Sequence, residues 1–411
     1  MRTPCDSPRQ AALAVIRTLR SAGHTAYLAG GCVRDALLGL DPKDYDVATD
    51  ATPDTVQQLF PYTAAVGAAF GVVLVYIRKH GRGRHTIEVA TFRADGNYAD
   101  GRRPDDVRFT TAEEDAQRRD FTINGLFADP RNEDEGEDTI IDYVGGQADL
   151  KAGVIRAIGE PSARFAEDYL RMLRAVRFAA RFGFTIEPVT ARAIQEHAPK
   201  LDQIARERIG EEVQRMLMGA NPALAVQQLT GLGLDAAIFH GQAEHLDTQP
   251  LERLDSQACY ATRLSVWMSG RKPTLPAKAL RRSLMLSNDE LRTLRDVEEL
   301  TRAMPEWDGR SKARRKRTAS APCWSQAMLK WEAEQEAASL IETIKADLAE
   351  LSNDGIGLAP TPLVTGEDLI AQGLTPGPRF KTLLDRTYDA QLEGRVKTKV
   401  QALDFARNAD A

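Results

Sequence analysis

Residues 26–49, AYLAGGCVRDALLGLDPKDYDVAT, read as a strand, a turn, a helix and a second strand. Ala26–Ala29 is a short apolar run, Gly30 and Gly31 break it, and VRDALLG has the apolar spacing of a helix. In DPKDYDVAT, Tyr45 and Val47 alternate with Asp44 and Asp46, which predicts a strand with both carboxylates on one face. Two glycines between strand and helix let backbone N–H groups come close to a phosphate. The helix N-terminus adds a favourable dipole there, and Arg34 a guanidinium. The bland reading is a tight turn with no ligand. Two like charges side by side are costly unless a hard cation neutralises them, and magnesium takes oxygen ligands of this kind. An isolated DxD is more often a solvated turn, and it is the glycine turn just upstream that reverses the balance for Asp44 and Asp46.

Working outward, AALAVIRTLRSAG (11–23) predicts an amphipathic helix ending near Gly23. Val72–Ile77 and Thr86–Phe92 predict strands joined by the polar hairpin KHGRGRH. The N-terminal part is thus a small mixed sheet with helices. After Gly153 the strand signals nearly vanish and the pattern is helical, interrupted by DGIGLAPTPLVTG (354–366) before a last helical stretch around LLDRTYDAQLEG. The expected layout is an α+β head over 1–150, then an all-α remainder: a neck over 151–220, a body over 221–350 and a tail over 351–411. At 411 residues and 43% apolar content the chain holds more than one core.

Bulk charge argues against a general nucleic-acid binder, since the formal net charge is −5. Any RNA site must be a local basic surface. One candidate lies between Arg271 and Arg317, where 14 Lys or Arg stand against 7 Asp or Glu, including KARRKR at 312–317. Its bland reading is a solvated loop; its functional reading is contact with an RNA backbone. The cysteines Cys5, Cys32, Cys259 and Cys323 show no paired spacing, as expected for reduced thiols in the cytoplasm. No apolar run approaches the ~20 residues needed to cross a bilayer, so no membrane association is expected.

Two more constellations carry charge in a pattern. In Arg118-Arg119-Asp120-Phe121-Thr122-Ile123-Asn124, adjacent arginines before a carboxylate suggest an anion clamp, with Asn124 a neutral donor and acceptor. Alternatively this is a charged helix start. In RFAEDYLRMLRAVRFAARFG (164–183), one helix is predicted from Ser162 to Gly183. Phe165, Tyr169, Met172, Leu173 and Val176 share one face, while Glu167, Asp168, Arg171 and Arg174 share another. Glu167 and Arg171 alone are no more than a surface pair. The further arginines Arg164, Arg174, Arg177 and Arg181 exceed what one acidic pair balances, which favours an anionic ligand.

Taken in order, these segments resemble the class II, bacterial-type CCA tRNA nucleotidyltransferases and their relatives the bacterial poly(A) polymerases, closely over residues 26–217 and more weakly over 362–395. The resemblance implies nucleotide- and metal-binding roles for Gly30, Gly31, Arg34, Asp44 and Asp46. It places Arg119 on the triphosphate, Asp120 in the active site and Asn124 beside them. Glu167, Asp168 and Arg171 match the EDxxR motif, whose Asp and Arg read the Watson–Crick edge of CTP or ATP. Arg174 and Arg177 match further nucleotide contacts, and Glu207–Glu212 matches a supporting helix element. A carboxylate that accepts from an exocyclic amine, beside an arginine that donates to ring acceptors, complements both C and A and disfavours U and G.

The implied reaction is attack of an RNA 3′-hydroxyl on the α-phosphorus, with pyrophosphate leaving, by a two-metal mechanism with Mg2+ on Asp44 and Asp46. Glu88, in IEVATF, stands as a third acid near the metals, its bland reading being a solvated strand residue. The stretch TFRADGNYADGRRPDDVRF (91–109) is similar to the loop of family members that complete CCA. Val66-Gly67-Ala68-Ala69-Phe70 stands where poly(A) polymerases carry a basic segment. The expectation is therefore addition of CCA, or its terminal A, to tRNA from CTP and ATP, with no stable protein partner required. Poly(A) synthesis on RNA 3′ ends is the alternative. IFHGQAEHLD lacks an adjacent His-Asp pair, so no phosphohydrolase activity is expected.

Overall fold

Gly30 sets the geometry of the first turn. It takes φ +67°, open to glycine at little cost, and a Cβ there would stand 2.7 Å from Arg119 Nη1. The chain therefore leaves β1 (Ala26–Ala29) and enters α2 (Gly31–Leu37) at once, behind α1 (Pro8–Ser21), whose Ser7 cap accepts from the Gln10 N–H. The computed structural model describes residues 5–65, 71–79, 81–95, 107–130, 138–335, 338–373 and 377–410. Val66–Phe70, and most of the 91–109 stretch, lie outside the described residues.

The other head strands are β2 (Asp46–Thr49), β3 (Thr63–Ala64), β4 (Val72–Arg78), β5 (Arg84–Thr91), β6 (Arg93–Asp95), β7 (Val107–Phe109), β8 (Leu126–Asp129) and β9 (Thr139–Asp142). Six of them join β1 in one seven-stranded mixed sheet in the order β3-β4-β5-β2-β1-β8-β9, and β6 pairs with β7 separately. β2 runs antiparallel to β1, pairing Ala29 with Asp46, and parallel to β5, pairing Asp46 with Glu88. The two-residue period on β5 buries His85, Ile87, Val89 and Thr91 and turns Arg84, Thr86 and Glu88 outward. α1 and α3 (Pro53–Leu59) pack on the sheet. Ala29, Ala48, Phe92 and Phe127 pack with Ala112 and Ala116 of α4 (Ala112–Gln117).

After α5 (Gly146–Ala152) the first compact unit, Met1–Gln242, continues in helices. These are α6 (Pro161–Glu167), α7 (Leu170–Phe182), α8 (Pro188–His197), α9 (Arg206–Leu217), α10 (Pro222–Gly231) and α11 (Leu234–Phe239), with α7 packed on α9 and α10. The predicted 162–183 helix is thus two. Asp168 takes an extended conformation, φ −156° and ψ 103°, and its Oδ1 accepts from the Leu170 N–H at 3.0 Å. A side chain that satisfies a free N–H at a helix start competes with helix continuation, and here it starts a new helix.

The second unit, Ala243–Ala411, is mostly helical, with one short antiparallel pair of His245–Leu246 and Arg271–Lys272. Met304, Trp307, Trp324, Met328, Trp331 and Ile344 make one core; Val364, Leu369, Leu383, Ala390 and Val396 make another. In the 312–317 basic run four of the five charges pair with carboxylates of the same unit, so less of it is left for an RNA backbone than composition suggests. Lys312 and Lys316 pair with Asp354 at 2.7 and 2.6 Å, Arg315 with Asp347 at 2.7 Å, and Arg317 with Asp389 at 2.6 Å. Lys316 is fully buried and also donates to the Gly357 carbonyl at 2.8 Å. Burial pushes the Asp354 carboxyl up, yet the two lysines hold it far below the ordinary carboxylate range. The basic helix thereby fixes the Gly/Pro-rich break that follows it.

Candidate active site

Asp46 opens β2, half-buried, and faces the same side of the sheet as Glu88 on the neighbouring strand. Asp44 corrects the one-strand expectation: it is exposed and precedes the strand. The cause is the glycine turn, because β1 ends at Ala29 and leaves Tyr45 and Asp44 no partner on that side. Burial, then Glu88, then Asp44 push the Asp46 carboxyl up to about 6, against a downward pull from Arg119. The donors of Asp46, Glu88 and Asp44 are all carboxylate oxygens, the kind a hard cation such as magnesium takes. Among the described residues no three His, Cys, Asp or Glu side chains form a ready-made metal cage. Magnesium bound by one or two carboxylates, with substrate oxygens completing its shell, needs none.

Asp46 and Glu88 lie in a cleft of about 640 Å³. Ala29, Ala48 and Ala90 on the sheet leave it room, and it is lined on other sides by Gly30, Gly31, Arg34, Arg118, Arg119, Asp120 and Asn124. Asp168, Arg171, Arg174, Arg177, Arg181 and Arg208 complete it from the helices. Among the described residues nine arginines line the cleft against four carboxylates. Of the residues expected at the site, Asp44 and Glu167 do not line it. Glu167 instead accepts from Arg164 Nη1 at 3.0 Å and from Arg171.

The arginine clamp is built by a residue the motif reading passed over. Asp115, 1% exposed, takes Arg118 Nη2 at 2.8 Å on one oxygen and Arg119 Nη2 at 3.0 Å on the other. Burial pushes its carboxyl up, but Arg119 and Arg118 hold it below the ordinary value. The i, i+3 and i+4 spacing on α4 was a legible signal. Arg119 also donates to the Asn124 carbonyl at 3.0 Å and lies over Phe127.

Asp120 accepts from Arg174 Nε at 2.8 Å, Asn124 Nδ2 at 2.9 Å and the Phe121 N–H at 2.9 Å. Against the upward push of complete burial, Arg174 and Asn124 hold its carboxyl down to about 2. Asp168 accepts from Arg208 Nη2 at 2.7 Å. Arg208 sits on α9, within the segment read as structural support, and no local pattern connects it to a carboxylate 40 residues away. One turn on, Glu212 pairs with Arg177 at 2.7 Å, so α9 holds both α7 and the break before it, by two ion pairs of opposite polarity.

Known proteins are similar to this chain in sequence over part of it and in fold over nearly all of it. Residues 26–156 match the poly A polymerase head domain, and residues 183–246 match a probable RNA and SrmB-binding site of polymerase A. A CCA-adding enzyme of Lactiplantibacillus plantarum is 46% identical over 224 residues, 54% of this chain and 52% of that protein. One from Geobacillus stearothermophilus is 43% identical over 230 residues, 56% of this chain and 54% of that protein. The chain spans about half the length of these curated relatives. The crystal structure of the Bacillus stearothermophilus CCA-adding enzyme in complex with CTP superposes with a TM-score of 0.78, at 28% identity, over 99% of both chains. Residues 26–156 are thus similar to the poly A polymerase head domain and residues 183–246 to a probable RNA-binding site of polymerase A, on a backbone with the fold of the bacterial CCA-adding enzymes.

Proposed function

We propose that this protein adds CCA, or its terminal A, to the 3′ end of tRNA, using CTP and ATP and releasing pyrophosphate. The observation that carries the reading is one cleft in which the Asp46–Glu88 carboxylates, the Arg118–Arg119 clamp and the Asp168–Arg171 pair all converge. Sheet carboxylates suit a phosphoryl-transfer centre, arginines suit a triphosphate, and a carboxylate beside a guanidinium suits a base edge. The similarity to an enzyme solved with CTP supports the same assignment.

Magnesium on Asp46 and Asp44, beside Glu88, would lower the pKa of the attacking hydroxyl and offset charge on the leaving pyrophosphate. The chain's own groups do the rest. Arg118, Arg119 and Arg174 neutralise triphosphate oxygens, and Arg34 adds charge from the cleft floor. Asp168 accepts from the exocyclic amine of C or A while Arg171 donates to the ring, so base choice needs no template strand. Asp120 serves by positioning Arg174 and Asn124. Glu167 keeps Arg171 in place, and Gly30 and Gly31 let the backbone approach phosphate. In this reading the head (1–150) and neck (151–220) hold nucleotide, while body (221–350) and tail (351–411) hold RNA. No helix among the described residues is long and apolar enough to cross a membrane. The proposed setting is the cytoplasm, without a required protein partner.

The test is product length and sequence with magnesium, CTP and ATP on tRNA ending in its discriminator base, in C and in CC, and on a generic RNA. CCA or A on tRNA is expected, and Asp46→Ala should abolish it. Homopolymeric A on every RNA would instead make the protein a poly(A) polymerase, and no incorporation on any end would end the proposal.

A further inference from the structure

Arg34, the basic residue of the glycine turn, is 4% exposed. Its Nε and Nη2 donate to Asp35 Oδ1 at 2.8 and 2.6 Å, its Nη1 donates to Asn124, and Phe178 and Phe182 lie 5.1 and 4.9 Å beneath its guanidinium. Three of its donor groups are thus engaged within the protein, and little of it faces the cleft. The opposite oxygen of the same aspartate, Oδ2, accepts from Arg181 Nη2 at 2.9 Å. Arg181 stands over the Phe182 ring at 4.8 Å, lines the cleft, and leaves 43% of its side chain in the open.

A surface ion pair is the plain alternative, worth little to stability. Asp35, however, is 9% exposed and already neutralised by Arg34, so it needs no second cation. Two guanidinium groups on one carboxylate leave a net positive charge, and the exposed member carries it at the cleft wall. An ordered, partly desolvated arginine with free donors is a phosphate ligand by chemistry. Its place on α7 says which phosphate. At ~1.5 Å per residue, Arg181 lies about 10 Å along the helix from Arg174 and about 15 Å from Arg171. A nucleotide whose base meets Asp168 and Arg171 at the start of the helix runs its phosphates toward the other end.

We propose that Arg181 binds the terminal phosphates of the incoming nucleoside triphosphate, and that Asp35 positions it by holding Arg34 beneath and Arg181 above. The inference rests on the nucleotidyltransferase reading of the cleft. Its test uses the full chain and titrates CTP, CMP and pyrophosphate by calorimetry with magnesium and no RNA, for wild type, Arg181→Gln and Arg181→Lys. Arg181→Gln should weaken CTP and pyrophosphate about tenfold, close to one charge-assisted contact, and leave CMP little changed. Arg181→Lys should recover part of the loss. In extension assays KM for CTP and for ATP should rise together, with KM for tRNA and discrimination against UTP unchanged. Equal weakening of CMP and CTP overturns the proposal, as does no change at all. A defect confined to KM for tRNA also overturns it, because the phosphate then belongs to the RNA. Wild type that binds CTP yet extends no RNA removes the nucleotidyltransferase reading while leaving the Arg181 comparison standing.

Discussion

Asp120 joins the sheet-side clamp to helix α7, holding Asn124 with one oxygen and Arg174 with the other. Its pKa in the folded chain is about 2, below the ordinary 3.8. The stability it contributes is therefore complete above about pH 4 and is lost as pH falls through 2, amounting to about 2 kcal/mol. In urea unfolding, wild type should exceed Asp120→Asn by roughly that amount at pH 6, and the gap should close toward pH 2. A gap independent of pH would mean that Asp120 is not an ionised partner. Base choice is tested three residues from the helix break at Asp168. Arg171→Ala should keep incorporation but relax discrimination against UTP by about tenfold, the value of a lost base-edge contact. Unchanged selectivity would remove Arg171 from that role. The candidate residues themselves were legible, since they fall in short motifs. Their partners were legible only at helical spacing: Asp115 with Arg118 and Arg119 is a local pattern, whereas Asp168 with Arg208, and Asp35 with Arg181, join residues far apart in the chain.

Among elements, β4, β5 and α1 could be read from apolar period alone, because each buries one face and exposes the other. The break at Asp168 was hidden for the same reason: α6 and α7 keep their apolar stripe across it, and only a side-chain bond to the Leu170 N–H separates them. In the helix Lys312–Ala319 the local sequence hides the ion pairs, since the carboxylates that pair with it come 32 to 72 residues later. Asp354→Ala leaves the Lys316 ammonium buried beside a bare carbonyl and should cost about 3 kcal/mol, read as a lower melting temperature. Replacing both, as Lys316→Met with Asp354→Leu, should restore most of it. A melting temperature unmoved by Asp354→Ala would show the pair to be ornamental.

For the whole molecule, every described residue lining the cleft lies between Ala29 and Arg208, inside the first compact unit. A fragment ending at Gln242 should therefore bind CTP within a few-fold of the full chain while losing most tRNA extension. If CTP binding vanishes with the second unit, the cleft is not self-sufficient. The net charge of −5 also takes on a different meaning once nine arginines are placed together against four carboxylates. The described lining of the cleft holds an excess of five positive charges, so the rest of the chain is more acidic than the total implies. To a polyanion such a molecule behaves as a lopsided ion, turning away encounters from most directions and drawing in those that arrive at one mouth. Added salt should erode both the repulsion and the attraction, leaving approach geometry to chance.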